Sequence, residues 1–143
     1  MCDENDDLTI KFKLEIAVSG TPVSFQSKTK QSKRKWKAHV KSAAEEVMGR
    51  KWLTDESLSI TIYDFPSDET GGDIDNIVKL IQDSLNKTVY LDDNQIRRVV
   101  AQRFLPNEID MMDEMPEMVA RALVNDPPFV YIWINNNPLG EAQ

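Results

Sequence analysis

Residues 8 to 18, LTIKFKLEIAV, place Ile10, Phe12, Leu14, Ile16 and Val18 at every second position. That period is the pleat of a strand with one buried face. Gly20 and Pro22 break it. From Ser32 to Met48 the repeat lengthens: Trp36, Val40, Ala43, Ala44 and Val47 recur at helical spacing, which predicts an amphipathic helix with its basic residues on the opposite face. SLSITIYDF, residues 57 to 65, alternates again through Leu58, Ile60, Ile62 and Asp64 and stops at Pro66. After the turn-rich SDETGG, a second helix is marked by Ile74, Ile77, Val78, Ile81 and Leu85, with Gly71 and Gly72 before it and Asn86 near its end. QIRRVVAQRF and PPFVYIWIN read as a third and a fourth strand, the latter on its β-branched and aromatic content. Between them Pro116 suits the first turn of a third helix running to about Val124, with Met115, Met118, Val119 and Ala122 as its apolar face.

Strands and helices thus alternate in the order β-α-β-α-β-α-β. The fold class expected is α+β: a single domain, with a mixed four-stranded sheet and helices packed on it. A chain of 143 residues with 41% hydrophobic content is in the single-domain range, and buries roughly two thirds of the surface its unfolded form exposes. No internal repeat or linker divides residues 1–143. Residues 1–7, MCDENDD, are expected as a disordered tail, and residues 106–127 as a Met-rich, acidic helical insertion. That segment holds four of the six methionines. They are read as core or dimer packing and not as a metal site, since thioethers suit soft copper.

Composition excludes several classes. No run of about 18 apolar residues exists and the amino terminus is acidic, so neither a membrane span nor a signal peptide is expected, and the location inferred is cytoplasmic. Cys2 is the only cysteine, which rules out a disulfide within the chain and a Cys-rich zinc site. His39 sits at the edge of an apolar stripe and is read as structural.

The net charge of −7 conceals an asymmetry. Lys28, Lys30, Lys33, Arg34, Lys35, Lys37 and Lys41 follow one another without an acidic residue, so this island carries +7 and leaves −14 for the remainder. A phosphate responds to the local field, within a Debye length of about 8 Å. The island is therefore either a solvated helix face or a phosphate-binding one.

Acid is concentrated elsewhere, in GGDIDNIVKLIQDSLNKTVYLDDNQIRRV, residues 71 to 99. One aspartate at the start of the second helix is explained as a cap, worth about 1 to 2 kcal/mol. Lys79 lies four residues from both Asp75 and Asp83 and is accounted for by ion pairs along the helix. Asp92 and Asp93, entering the next strand, need another reason. Were three of these carboxylates to converge within about 4 to 6 Å, their repulsion would call for a cation. The spacing does not fit a calcium loop, because Ile77 stands where a third oxygen donor is needed. Magnesium, content with a few carboxylates, waters and phosphate oxygens, fits better.

Asp73-Ile74-Asp75-Asn76-Ile77-Val78-Lys79, then Asp83-Ser84-Leu85, then Asp92-Asp93-Asn94-Gln95-Ile96, resembles the RusA-type Holliday-junction resolvase family of crossover junction endodeoxyribonucleases. Its signature is D-x-D-N-x-x-K, a D-A-L-like helix end and a D-D-x-x-I entry to the next strand; GTPVSFQSK and KWKAHVKSAA resemble the family's first loop and helix more loosely. Ser84 departs from the small apolar residue usual there. The resemblance implies a Mg²⁺-dependent endonuclease, with Mn²⁺ able to substitute, acting on four-way junction DNA as a homodimer in recombination and repair. It implies that Asp73, Asp75 and Asp93 bind the metal, with Asp92 as the less direct member of its pair, and that Lys79 acts beside them on the scissile phosphate. Consecutive strand residues point opposite ways, so one of Asp92 and Asp93 is expected to face the metal. Lys28, Lys30, Lys33, Arg34 and Lys37 are the candidates for holding the DNA backbone, with Arg97, Arg98 and Arg103 as further ones. Two readings from other classes stand beside it: a catalytically inactive junction- or DNA-binding homologue, and an acidic protein-interaction module in which the aspartates are caps only.

Overall fold

The structure, a computed structural model, describes residues 12–23, 29–68, 73–125 and 127–139. Its elements follow the alternation of the sequence: β1 (Lys13–Ser19), α1 (Lys30–Met48), β2 (Leu58–Phe65), α2 (Ile74–Leu85), β3 (Ile96–Arg103), α3 (Glu117–Val124) and β4 (Phe129–Asn135). The expected α+β class and the mixed four-stranded sheet are both observed. The tail expected at residues 1–7, and with it the first positions of the predicted strand, lies outside the described residues.

Sheet order is β1-β4-β2-β3. β4 inserts between β1 and β2 and pairs antiparallel with both, while β2 and β3 run parallel. A parallel pair needs a crossover, and α2 supplies it, travelling back along the sheet between the end of β2 and the start of β3. With strands on either side and side chains covered on both faces, β2 is buried along nearly its whole length.

Two cores form on the two faces. Leu14, Ile16, Val18, Ile60, Ile62, Ile132 and Ile134 meet Trp36, Val40 and Ala44 of α1 and Ile77, Ile81 and Leu85 of α2. Trp36 is therefore a core residue, as its place in the apolar stripe predicts. His39 donates one hydrogen bond, from Nε2 to the Ser19 carbonyl at 2.8 Å, which pins α1 to the end of β1. Gly49 (φ 56) ends α1 in the left-handed region that glycine adopts without strain.

On the other face Phe65, Phe104, Phe129, Tyr131 and Val119 form a second cluster, with Ile109, Met112, Met115, Met118 and Ala122 packed against it. The Met-rich segment thus serves as packing, through a 3₁₀ turn at Pro106–Met111 followed by α3. Methionine suits this role because its unbranched thioether fills irregular space between aromatic rings.

Asp64 falls on the helix-covered face of β2, where period two places it, and it is only 2% exposed. Arg103 at the end of β3 answers it with an Nε to Oδ2 contact of 2.9 Å. Arg103 is accordingly engaged with a buried carboxylate, and the idea that it holds a DNA backbone is corrected: taking it from Asp64 would leave a buried charge unpaired.

Candidate functional site

α2 organises the acidic residues, and its two ends hold different ones. At the amino-terminal end Asp73 occupies the cap position with extended backbone (φ −64, ψ 143), its carbonyl accepting from the amides of Asn76 and Ile77. Its side chain makes no capping hydrogen bond. Asp75 follows in the first turn. Both are exposed, and among the described residues neither carboxylate has a hydrogen-bond or ion-pair partner. A cap therefore accounts for the backbone at Asp73 but not for its carboxylate. The two sit where the helix dipole favours negative charge.

From the middle of α2 Lys79 reaches Asp83 one turn on, Nζ to Oδ1 at 3.5 Å. Ser84, the departure from the family pattern, is buried with its hydroxyl donated to the Leu80 carbonyl at 2.8 Å, so a polar group is accommodated without an unmet bond. The chain then turns through Lys87 (φ 69) and Tyr90 into a 3₁₀ turn, Asp93–Gln95, that precedes β3. Here the expectation of a strand at Asp92 and Asp93 is corrected. Asp92 caps the turn, Oδ2 accepting from the Asn94 amide at 3.1 Å. Gln95 reaches back to the amides of Leu91 and Asp92 and donates to the carbonyls of Thr54 and Glu56. The pair is thus told apart by capping and not by strand alternation. Asp93, half-buried, has Oδ1 3.2 Å from the Tyr90 hydroxyl.

β2 and β3 run parallel with Leu58 opposite Ile96. Asp93 consequently lies by the starts of these strands, and Asp73 lies beyond the end of β2. The twelve residues of α2 between them rise about 18 Å. Among the described residues no three His, Cys, Asp or Glu side chains form a group that could hold a metal ion. The convergence of three carboxylates expected from the sequence is therefore not met within one chain. The chemistry of the donors still suits magnesium: Asp73 and Asp75 offer hard carboxylate oxygens without a hydrogen-bond partner among the described residues, and Asp93 engages one oxygen only. What one chain lacks is their assembly at one point.

Of the basic island, Lys28 lies outside the described residues. Lys30, Lys33, Arg34 and Lys37 on α1 line one groove of about 290 Å³, together with Leu80 and Asp83 of α2. Apolar positions of α1 turn to the sheet, so this row faces outward beside α2. The groove joins the island to the face of α2 that carries Lys79.

Two residues escaped the sequence reading. Asp83 is in the quoted motif, but only as the partner of Lys79. Tyr90 carries no motif signal; its fully buried ring and its hydroxyl contact with Asp93 emerge only once the loop is folded. Burial raises the Tyr90 phenol far above its ordinary pKa, with Asp93 and then Asp83 adding to the rise, so the hydroxyl stays protonated and able to donate.

Among the described residues no helix is long and apolar enough to cross a membrane. A protein-family model described as endodeoxyribonuclease RusA matches residues 15–112, a span that takes in both ends of α2, the loop after it and the basic row of α1. No curated protein matches the chain at a significant level.

Proposed function

From the premise that this chain belongs to the RusA endodeoxyribonuclease family, we propose that it is a magnesium-dependent endonuclease that resolves four-way DNA junctions as a homodimer, in recombination and repair. The family match carries this reading, because the matched span contains Asp73, Asp75, Lys79, Asp92 and Asp93 in the motif's order.

The placement of the carboxylates adds a requirement. A two-fold axis exchanges the ends of paired elements, so a second copy can bring its Asp93 to the Asp73 and Asp75 that the first copy holds. Two equivalent sites result. They would suit a junction with two symmetric strands to be cut. Asp73, Asp75 and Asp93 would hold the ion, and Asp92, committed to its cap, would stiffen the turn. Bound magnesium, or manganese in its place, supplies charge neutralisation at the phosphate and a more acidic water. Lys79, kept along α2 by Asp83, would donate to the phosphate as charge develops on it. The row from Lys30 to Lys37 would hold the DNA backbone in the groove beside α2.

A second reading, a junction-binding homologue without cleavage, is favoured by one observation: a single chain has no complete carboxylate group among its described residues. One experiment separates the two. Four-way junction, plain duplex and flap DNA are incubated with the protein in magnesium and in EDTA. Paired nicks on the junction in magnesium alone support the nuclease; retention in a gel shift without nicks supports the binding homologue. An acidic protein-interaction module would do neither.

A further inference from the structure

The Tyr90 hydroxyl has two acceptors within reach, the Gln82 carbonyl at 3.0 Å and Asp93 Oδ1 at 3.2 Å. It has one proton to give. The Gln82 carbonyl already accepts from the Asn86 amide at 3.1 Å in the last turn of α2. A second bond to that carbonyl adds little, whereas the carboxylate is charged and draws the stronger bond. Among the described residues Oδ2 of Asp93 has no hydrogen-bond partner. The hydroxyl therefore occupies one oxygen and leaves the other free.

The ring beneath it is enclosed and its backbone is tied on both sides. Tyr90 is fully buried, its backbone bridges those of Thr54 and Asn86, and its carbonyl accepts from the Lys87 amide at 2.7 Å. Gln95 fastens the following turn to Thr54 and Glu56. Asp93 is thus set between a rigid phenol and a clamped turn, an arrangement that stability alone does not call for at a half-exposed carboxylate.

We propose that Tyr90 is a positioning residue that holds Asp93 by one oxygen so that the other is presented, pre-oriented, to the divalent ion. This rests on Asp93 being a ligand of that ion. Outer hydrogen bonds to metal-binding carboxylates fix their orientation, and their loss commonly weakens metal affinity about tenfold to a hundredfold.

Tyr90→Phe removes only the hydroxyl. In the full-length protein the rise in melting temperature on adding Mn²⁺, and the Mn²⁺ concentration giving half-maximal nicking, are measured side by side. Expected is a metal requirement raised about tenfold, with the nicking rate at saturating metal and junction binding in EDTA close to wild type. Coincident metal titrations for Tyr90→Phe and wild type overturn the proposal while the nuclease reading stands. A wild-type protein with no metal response in melting or nicking overturns both. Should Tyr90→Phe fail to fold, fluorotyrosine-labelled wild type, with its signals assigned through Tyr63→Phe and Tyr131→Phe, gives the readout: a Tyr90 signal that moves with Mg²⁺ supports the proposal, and one that stays still overturns it.

Discussion

Asp93 accepts from the Tyr90 hydroxyl at 3.2 Å and is thereby anchored at the end of α2 remote from Asp73, with twelve helical residues between them. The separation divides the acidic motif into two half-sites. Asp73 and Asp75 form one, exposed at a helix start; Asp93, beside Asp83 and Tyr90, forms the other. Neither half holds enough oxygen for an ion and a phosphate together, which is why the proposed function requires a second copy of the chain.

Asp75→Asn should reduce junction nicking in magnesium to less than about a hundredth of the wild-type rate, on the scale of losing one transition-state charge stabiliser. Binding of the same junction in EDTA should persist, since no phosphate contact is removed. Unchanged nicking would exclude Asp75 from the site.

Replacing Lys33, Arg34 and Lys37 together by Glu should weaken junction binding and flatten its salt dependence. Each lost phosphate contact removes about 0.9 from the slope of log affinity against log salt, so the three remove about 3. An unaltered slope would move the DNA surface away from the groove beside α2.

Asp64 bears on stability and not on cleavage. Burial raises its pKa, and the hydrogen bond and charge of Arg103 pull it down less strongly. A carboxyl raised in the folded state contributes stability that is fully present below the unfolded value of about 3.9 and is lost as pH rises through the folded value. Asp64→Asn lacks this titration. In urea unfolding, the stability of wild type relative to Asp64→Asn should therefore fall as pH rises above the unfolded value of about 3.9. A difference that grows with pH would mean that Arg103 outweighs burial.

Much of this architecture was legible because apolar spacing encodes it locally. Ile16 and Ile62 declare strands, and Trp36, Val40 and Ala44 declare the buried stripe of α1, each by period alone. Period cannot report sheet order, so β4 between β1 and β2 was not foreseen; neither was the second core, whose Phe65, Phe104 and Phe129 come from separate elements. The site shows the same limit. Spacing singles out Asp73, Asp75, Asp92 and Asp93, and the family resemblance prefers Asp93 to Asp92, but proximity along the chain suggests proximity in space, and the crossover helix separates them. Strand alternation cannot be carried back from the third strand to Asp92 and Asp93 at its entry, because the side-chain bonds of Asp92 and Gln95 fold a 3₁₀ turn there. Tyr90 could not have been found from sequence, since its role depends on where a loop returns.

The division of the site between two copies is tested by pairing two inactive chains. Asp75→Asn and Asp93→Asn are co-expressed with different affinity tags and the mixed dimer is isolated. In it one site collects both substitutions and the other has neither, so the account predicts that the mixed dimer nicks junction DNA in magnesium at about half the wild-type rate while each parent homodimer is inert. A mixed dimer as inert as its parents would contradict it, since that is the outcome if each chain builds its site alone.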